Sequence, residues 1–148
     1  MILPNFKDFP IAGRIIGLDW GARRTGVAIT DESCSFVFAR KPIVSKNSDD
    51  LQSRVLSLIK EERVAGIIIG LPLRTDGTES ETTKNVRDFA NSLAEKIDTP
   101  ICFLDETLSS TAAQESMGRV RISDIKEKLD SEAARVILEN AIAVIKRL

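Results

Sequence analysis

The chain has 148 residues, 43% of them hydrophobic and 29% charged, with a formal net charge of −1. That is one domain of ordinary size with enough apolar residues for a full core, and its near-neutral charge means that any polyanion must meet a local basic face. The chain has no histidine and no tyrosine, which excludes Ser-His-Asp catalysis, histidine-ligated zinc and tyrosine nucleophiles.

Residues 1–13 carry Pro4, Pro10 and Gly13 and are expected as a flexible lead-in to a single domain over 14–148. Arg14–Asp19 is a continuous apolar strand, and the turn Gly21–Gly26 leads to a second strand, Val27–Thr30. After another turn at Asp31–Ser33, Phe36–Ile43 is the third. Connections this tight imply an antiparallel meander. Asp49–Glu62 then places Leu51, Val55, Leu58 and Ile59 at helical spacing. Gly66–Leu71 is β-branched and apolar throughout, as in a strand covered on both faces. A polar loop, Pro72–Glu81, precedes a helix over about Thr83–Ile97. Thr99-Pro100 introduces the strand Ile101–Leu104. A short helix near Ser110–Met117 and a basic stretch, Gly118–Arg121, lead to a last helix over Ser131–Lys146. The pattern predicts an α/β fold with one mixed sheet and helices on both faces.

Three acidic places stand at the ends of apolar runs: Asp19, the pair Asp105-Glu106, and Asp130. A charge closing a buried strand is costly unless it is paired or binds a cation. Carboxylates converging from distant segments suit Mg²⁺ or Mn²⁺, and two such ions can serve phosphodiester hydrolysis. The residues therefore point to a metal-dependent nuclease. Asp19 reads equally well as a turn residue. Period-two alternation sends Asp105 and Glu106 to opposite faces, so at most one can enter a shared site. Asp130 heads a helical stripe continued by Ala133, Ala134, Ile137, Leu138, Ala141, Ile142 and Ile145; the competing reading is an N-cap.

Gly17, Gly21 and Gly26 could cradle phosphate or simply build a glycine-rich hairpin; no Walker A loop is present. Arg23, Arg24, Arg74, Arg119 and Arg121 fall in loops near the acidic places and are the candidate phosphate contacts. Cys34 and Cys102 are isolated in apolar settings and are expected as buried free thiols. Lys7, Asp8 and Pro10 interrupt the apolar start of the chain, and no run approaches the length of a membrane span. These features together predict a cytoplasmic protein with no membrane partner.

Four stretches in order resemble the YqgF (RuvX) family of the ribonuclease-H-like superfamily: Gly17-Leu18-Asp19-Trp20-Gly21 with Arg24–Ala28, Ile69–Leu73 with Asp76-Gly77, Asp105–Ser110 with Ala113, and Lys128–Ala134 with Ile137-Leu138. The resemblance implies a ribonuclease-H-like three-layer fold with a mixed five-stranded sheet. It also implies a two-metal-ion endonuclease that processes the 5′ end of pre-16S rRNA during ribosome biogenesis. By motif match, Asp19, one of Asp105 and Glu106, and Asp130 are the metal-binding carboxylates. One alternative is a Holliday-junction resolvase acting on branched DNA, which needs a symmetric dimer. Another is a non-catalytic RNA-binding assembly factor. An actin-like ATPase needs two such domains around its nucleotide, and this chain supplies one. Monomer and homodimer both remain open.

Overall fold

A computed structural model describes residues 1–10, 12–106 and 122–148, with side chains of the last helix described from Glu132 onward. The elements are β1 (Ile2–Leu3), β2 (Arg14–Asp19), β3 (Arg24–Thr30), β4 (Val37–Val44), α1 (Ser48–Glu62), β5 (Val64–Pro72), α2 (Glu81–Ala94), β6 (Ile101–Glu106) and α3 (Ile122–Lys146). Among the described residues they form one six-stranded sheet in the order β1-β6-β5-β2-β3-β4. The pairs β2–β3 and β3–β4 are antiparallel, whereas β5 lies parallel to both β2 and β6. The expected meander followed by parallel units is therefore present.

The sixth strand is the departure from the expected five. Ile2 and Leu3 pair in parallel with Ile101 and Cys102 at the sheet edge. Phe9 is buried, its ring against the backbone of Gly66. The segment expected as a flexible lead-in thus holds to the fold at two points. Pro4 and Pro10 do not prevent this, because a two-residue edge strand needs few donors.

The core divides between the two faces of the sheet. Ile16, Leu18, Ile67 and Ile69 point to α1 and α2, while Ile15, Ala28, Ile68 and Cys102 point to α3. Both thiols are free and buried, as expected, and burial pushes the Cys102 thiol up to about 11. α1 starts where the Asn47 side chain accepts the Asp50 amide at 2.9 Å. It stops at Arg63, whose left-handed backbone lets its N–H reach the Ile59 carbonyl. A Ser80–Thr83 capping box begins α2 at Glu81, two residues before the position that apolar spacing suggests.

α3 differs most from expectation. It begins at Ile122 instead of Ser131 and runs for 25 residues. The signal is present in the chain: Ile122, Ile125 and Leu129 recur at i, i+3 and i+7. Asp130 consequently lies inside a helix, which removes the N-cap reading. The short helix expected near Ser110–Met117 lies outside the described residues.

Candidate active site

Asp19 closes β2, and the pleat determines the face it belongs to. Ile15 packs in the α3-side cluster, and a Cβ on Gly17 would stand 2.8 Å from Leu138 Cβ and 3.2 Å from the Ala134 carbonyl. Ile16 and Leu18 belong to the opposite cluster. Asp19, at the same parity as Ile15 and Gly17, therefore lies on the α3 face. It is half-buried and engaged with its surroundings.

The same alternation separates Asp105 from Glu106. Cys102 and Leu104 pack on the α3 side, whereas Ile101 and Phe103 pack on the α2 side. Glu106 follows the first pair and Asp105 the second. Glu106 is half-buried, and the Asn140 side chain of α3 hydrogen-bonds its carboxylate. Asp105 is exposed and lines a recess on the sheet edge with Leu71, Arg87 and Phe103. The Arg87 guanidinium lies 5.6 Å from the Phe103 ring centre. Of the two candidate acids, then, Glu106 shares a face with Asp19 and Asp105 does not.

Their separation follows from register. Leu18 pairs with Ile69, and Gly70 with Leu104, so Asp19 is level with Leu104 and Glu106 is two residues further on. With β5 between them, the two Cα atoms are roughly 9–10 Å apart sideways and about 6–7 Å along the strands. The intervening position is Gly70, where a Cβ would lie 2.5 Å from Ile137 Cδ1. Two residues without side chains, Gly17 and Gly70, thus let α3 lie close over β2 and β5. The space beside Gly17 is filled by this helix, not by a ligand. Gly21 is likewise structural, since a Cβ there would meet the Arg24 carbonyl at 2.1 Å. The hairpin reading of these glycines is the one the structure favours over a phosphate cradle.

Asp130 stands one turn before Ala133 and Ala134 on α3, both fully buried. Its backbone lies within α3, and its side chain lies outside the described residues. Among the described residues no three acidic, cysteine or histidine groups gather in one place. Two of the three expected carboxylates are therefore seen to share a face.

The basic candidates are placed in part. Arg23 is exposed in the turn after β2, with its carbonyl accepting the Ser45 amide at 2.9 Å. Arg24 begins β3 opposite Val44. Arg74 is exposed on a small hairpin where the sequence suggests only a polar loop. Leu73 bridges Glu79, and the Arg74 amide donates to the Thr78 carbonyl at 2.9 Å. The Leu73 amide donates to the Glu106 carbonyl at 2.9 Å, which sets this hairpin directly beyond Glu106. Arg119 and Arg121 lie outside the described residues. Asn140 is the site residue that sequence reasoning misses; it lies off the buried stripe of α3, and nothing in the chain marks it.

Burial holds the Glu106 carboxyl above its ordinary range, and Asn140 offsets this only in part. An acid with a raised pKa in the folded state destabilises the fold once pH rises past its unfolded value near 4.5. Glu106→Gln is therefore expected to raise the melting temperature in EDTA near about pH 7, with the gain shrinking as pH falls toward about 4.5. Thermal melts of both proteins across that range check it. An equal gain at all pH values would remove the titration from the explanation.

With this geometry in view, comparison with known proteins is decisive on family. The profile described as "RuvX: Holliday junction resolvase" matches residues 13–143. The chain belongs to the RuvX family. A relative from Maridesulfovibrio salexigens is 41% identical over 132 residues, covering 88% of this chain and 98% of that protein. One from Sphingopyxis alaskensis is 38% identical over 154 residues, covering 99% and 100%. Both carry the provisional name pre-16S rRNA nuclease. Among solved structures, Thermus thermophilus RuvC in complex with a Holliday junction substrate superposes with a TM-score of 0.56. That match covers 90% of this chain and 96% of RuvC at 12% identity, a likeness of fold. RuvX is a family of nucleases, and its member here has the ribonuclease-H-like fold. No described helix is long and apolar enough to cross a membrane.

Proposed function

We propose that this RuvX protein is a metal-dependent endoribonuclease of the cytoplasm that trims the 5′ end of pre-16S rRNA. The observation that carries the reading is the common face of Asp19 and Glu106 beneath the helix that bears Asp130. The donor set is all carboxylate oxygen, which suits Mg²⁺ or Mn²⁺. Glu106 bears a burial cost with no lysine or arginine to relieve it among the described residues, and a divalent cation would relieve it. Asp19, Glu106 and Asp130 would hold the metal. Such ions, held there, would supply an activated water and charge stabilisation for the departing 3′ oxygen. Asn140 orients the Glu106 carboxylate. Arg23, Arg24 and Arg74 hold the backbone of the RNA on either side. Asp105, on the other face, has no part in the reaction.

The test sets structured pre-rRNA and branched DNA side by side with the purified protein, with Mg²⁺, with Mn²⁺ and with EDTA. Metal-dependent cleavage of the RNA is the expected result. Cleavage of branched DNA alone, by a dimer, establishes the resolvase reading that the RuvC likeness suggests. Binding without cleavage in any metal establishes an assembly factor.

Grip on the RNA backbone has its own signature. Replacing Arg119 and Arg121 with alanine is expected to flatten the slope of log affinity against log salt by about 0.7–0.9 for each phosphate that is no longer neutralised. Binding should weaken on all sequences alike, because phosphates carry no base information. An unchanged slope assigns the backbone grip to Arg23, Arg24 and Arg74 alone.

A further inference from the structure

The end of β2 opens onto both faces of the sheet. Asp19 belongs to the α3 face. The next residue, Trp20, packs against the core cluster on the α1 and α2 side. Beside Trp20 lies a cleft of about 520 Å³, walled by Asp49 at the start of α1 and by Asn85, Asp88 and Phe89 of α2. Its volume is that of a small-molecule site.

The lining says what fits. Among the described residues the charged side chains that line it are Asp49 and Asp88, which disfavour a phosphate; Lys96, just outside the lining, donates to Gln52. Trp20, half-buried at the wall of the cleft, supplies aromatic surface. Asn85 and Asp88 are neighbours at i and i+3 on α2 and are exposed, so they present an amide and a carboxylate side by side. A single nucleobase matches this description. It has a flat face for an aromatic ring and an uncharged edge of N–H and C=O groups, and its phosphate stays outside. The placement matches too. Asp19 and Trp20 have Cα atoms ~3.8 Å apart and turn to opposite faces. A strand crossing the end of β2 can thus bring a phosphate to the cation that the carboxylates would hold and lay a neighbouring base in the cleft.

We propose that this cleft receives an unstacked base of the substrate strand next to the phosphate that is cleaved. The inference deepens the nuclease reading and rests on it. The acidic lining would also suit a lysine or arginine side chain of a protein partner. The aromatic surface beside Asp19 favours the base.

Trp20 is the only tryptophan in the chain, and tyrosine is absent, so tryptophan emission reports on this cleft alone. The full chain, in EDTA, is titrated with a single-stranded RNA of about 12 nucleotides and with the same RNA made abasic. The intact RNA should quench Trp20 and bind roughly 5- to 100-fold more tightly than the abasic one. The double variant Asn85→Ala, Asp88→Ala, with both changes on exposed positions, should lose most of that advantage while keeping its affinity for abasic RNA. Equal affinity for the two RNAs, or binding that leaves Trp20 emission unchanged, overturns the proposal. So does quenching by a lysine-rich peptide but not by RNA. Cleavage is scored separately with Mn²⁺ on the same preparation. Cleavage with a silent Trp20 defeats the cleft and leaves the nuclease reading standing. A base-dependent Trp20 response in a protein that cleaves nothing supports base binding and defeats the nuclease reading.

Discussion

Asp19→Asn is expected to lower metal-dependent cleavage by more than about 100-fold, since loss of even an outer-shell partner of a metal ligand costs about 10- to 100-fold. The same change should leave the melting temperature in EDTA unchanged or raised. Without a cation, carboxylates brought to one face repel one another, and a neutral amide of the same shape removes one negative charge. Single-turnover cleavage and thermal melts in EDTA measure the two halves separately. The combination is what discriminates. A turn or cap residue would give the opposite stability result, a marked drop without metal. Such a drop would place Asp19 among the structural aspartates and remove it from the site.

Gly17→Ala is expected to lower the melting temperature by roughly 3–12 °C, corresponding to about 1–3 kcal/mol of overpacking in a domain of this size. The added Cβ would stand 2.8 Å from Leu138 Cβ and 3.2 Å from the Ala134 carbonyl. Both atoms are rooted in the α3 backbone, so relief requires the whole helix to move off the sheet. Gly70→Ala makes a nominally closer approach, 2.5 Å from Ile137 Cδ1. That atom ends a flexible side chain and can rotate away, so the cost should be smaller. Moving α3 also moves Asp130 relative to Asp19, so Gly17→Ala should lose cleavage at temperatures where it remains folded. Melting curves of the two variants, with cleavage assayed well below both midpoints, check this order. A Gly70→Ala that is the more damaging of the two would mean that α3 does not lie on β2 as described.

Most elements are readable because their signals are local. β2, β5 and β6 are apolar runs, and α1 and α2 have periodic stripes with side-chain caps. The boundaries that differ do so for specific reasons. α2 starts earlier because Ser80 and Thr83 cap each other. α3 starts earlier because Ile122, Ile125 and Leu129 continue its period through a stretch whose charges disguise it. The edge strand β1 has no signal in the chain, since two apolar residues ahead of a proline carry no periodicity.

The site divides in the same way. The chain by itself determined which residue types were available: carboxylates at two strand ends and on the last helix, no histidine, and arginines between them in the sequence. It also determined, through the pleat, that Asp105 and Glu106 must part company. Only the tertiary structure decided which of them faces Asp19. That choice depends on the side of the sheet α3 takes, and the side is selected by packing: Gly17 and Gly70 leave a surface low enough for Ala134, Ile137 and Leu138 to close upon it. Sequence periodicity specifies a face only relative to its own strand, whereas the assignment of two strands' faces to one helix is a property of the assembled layers.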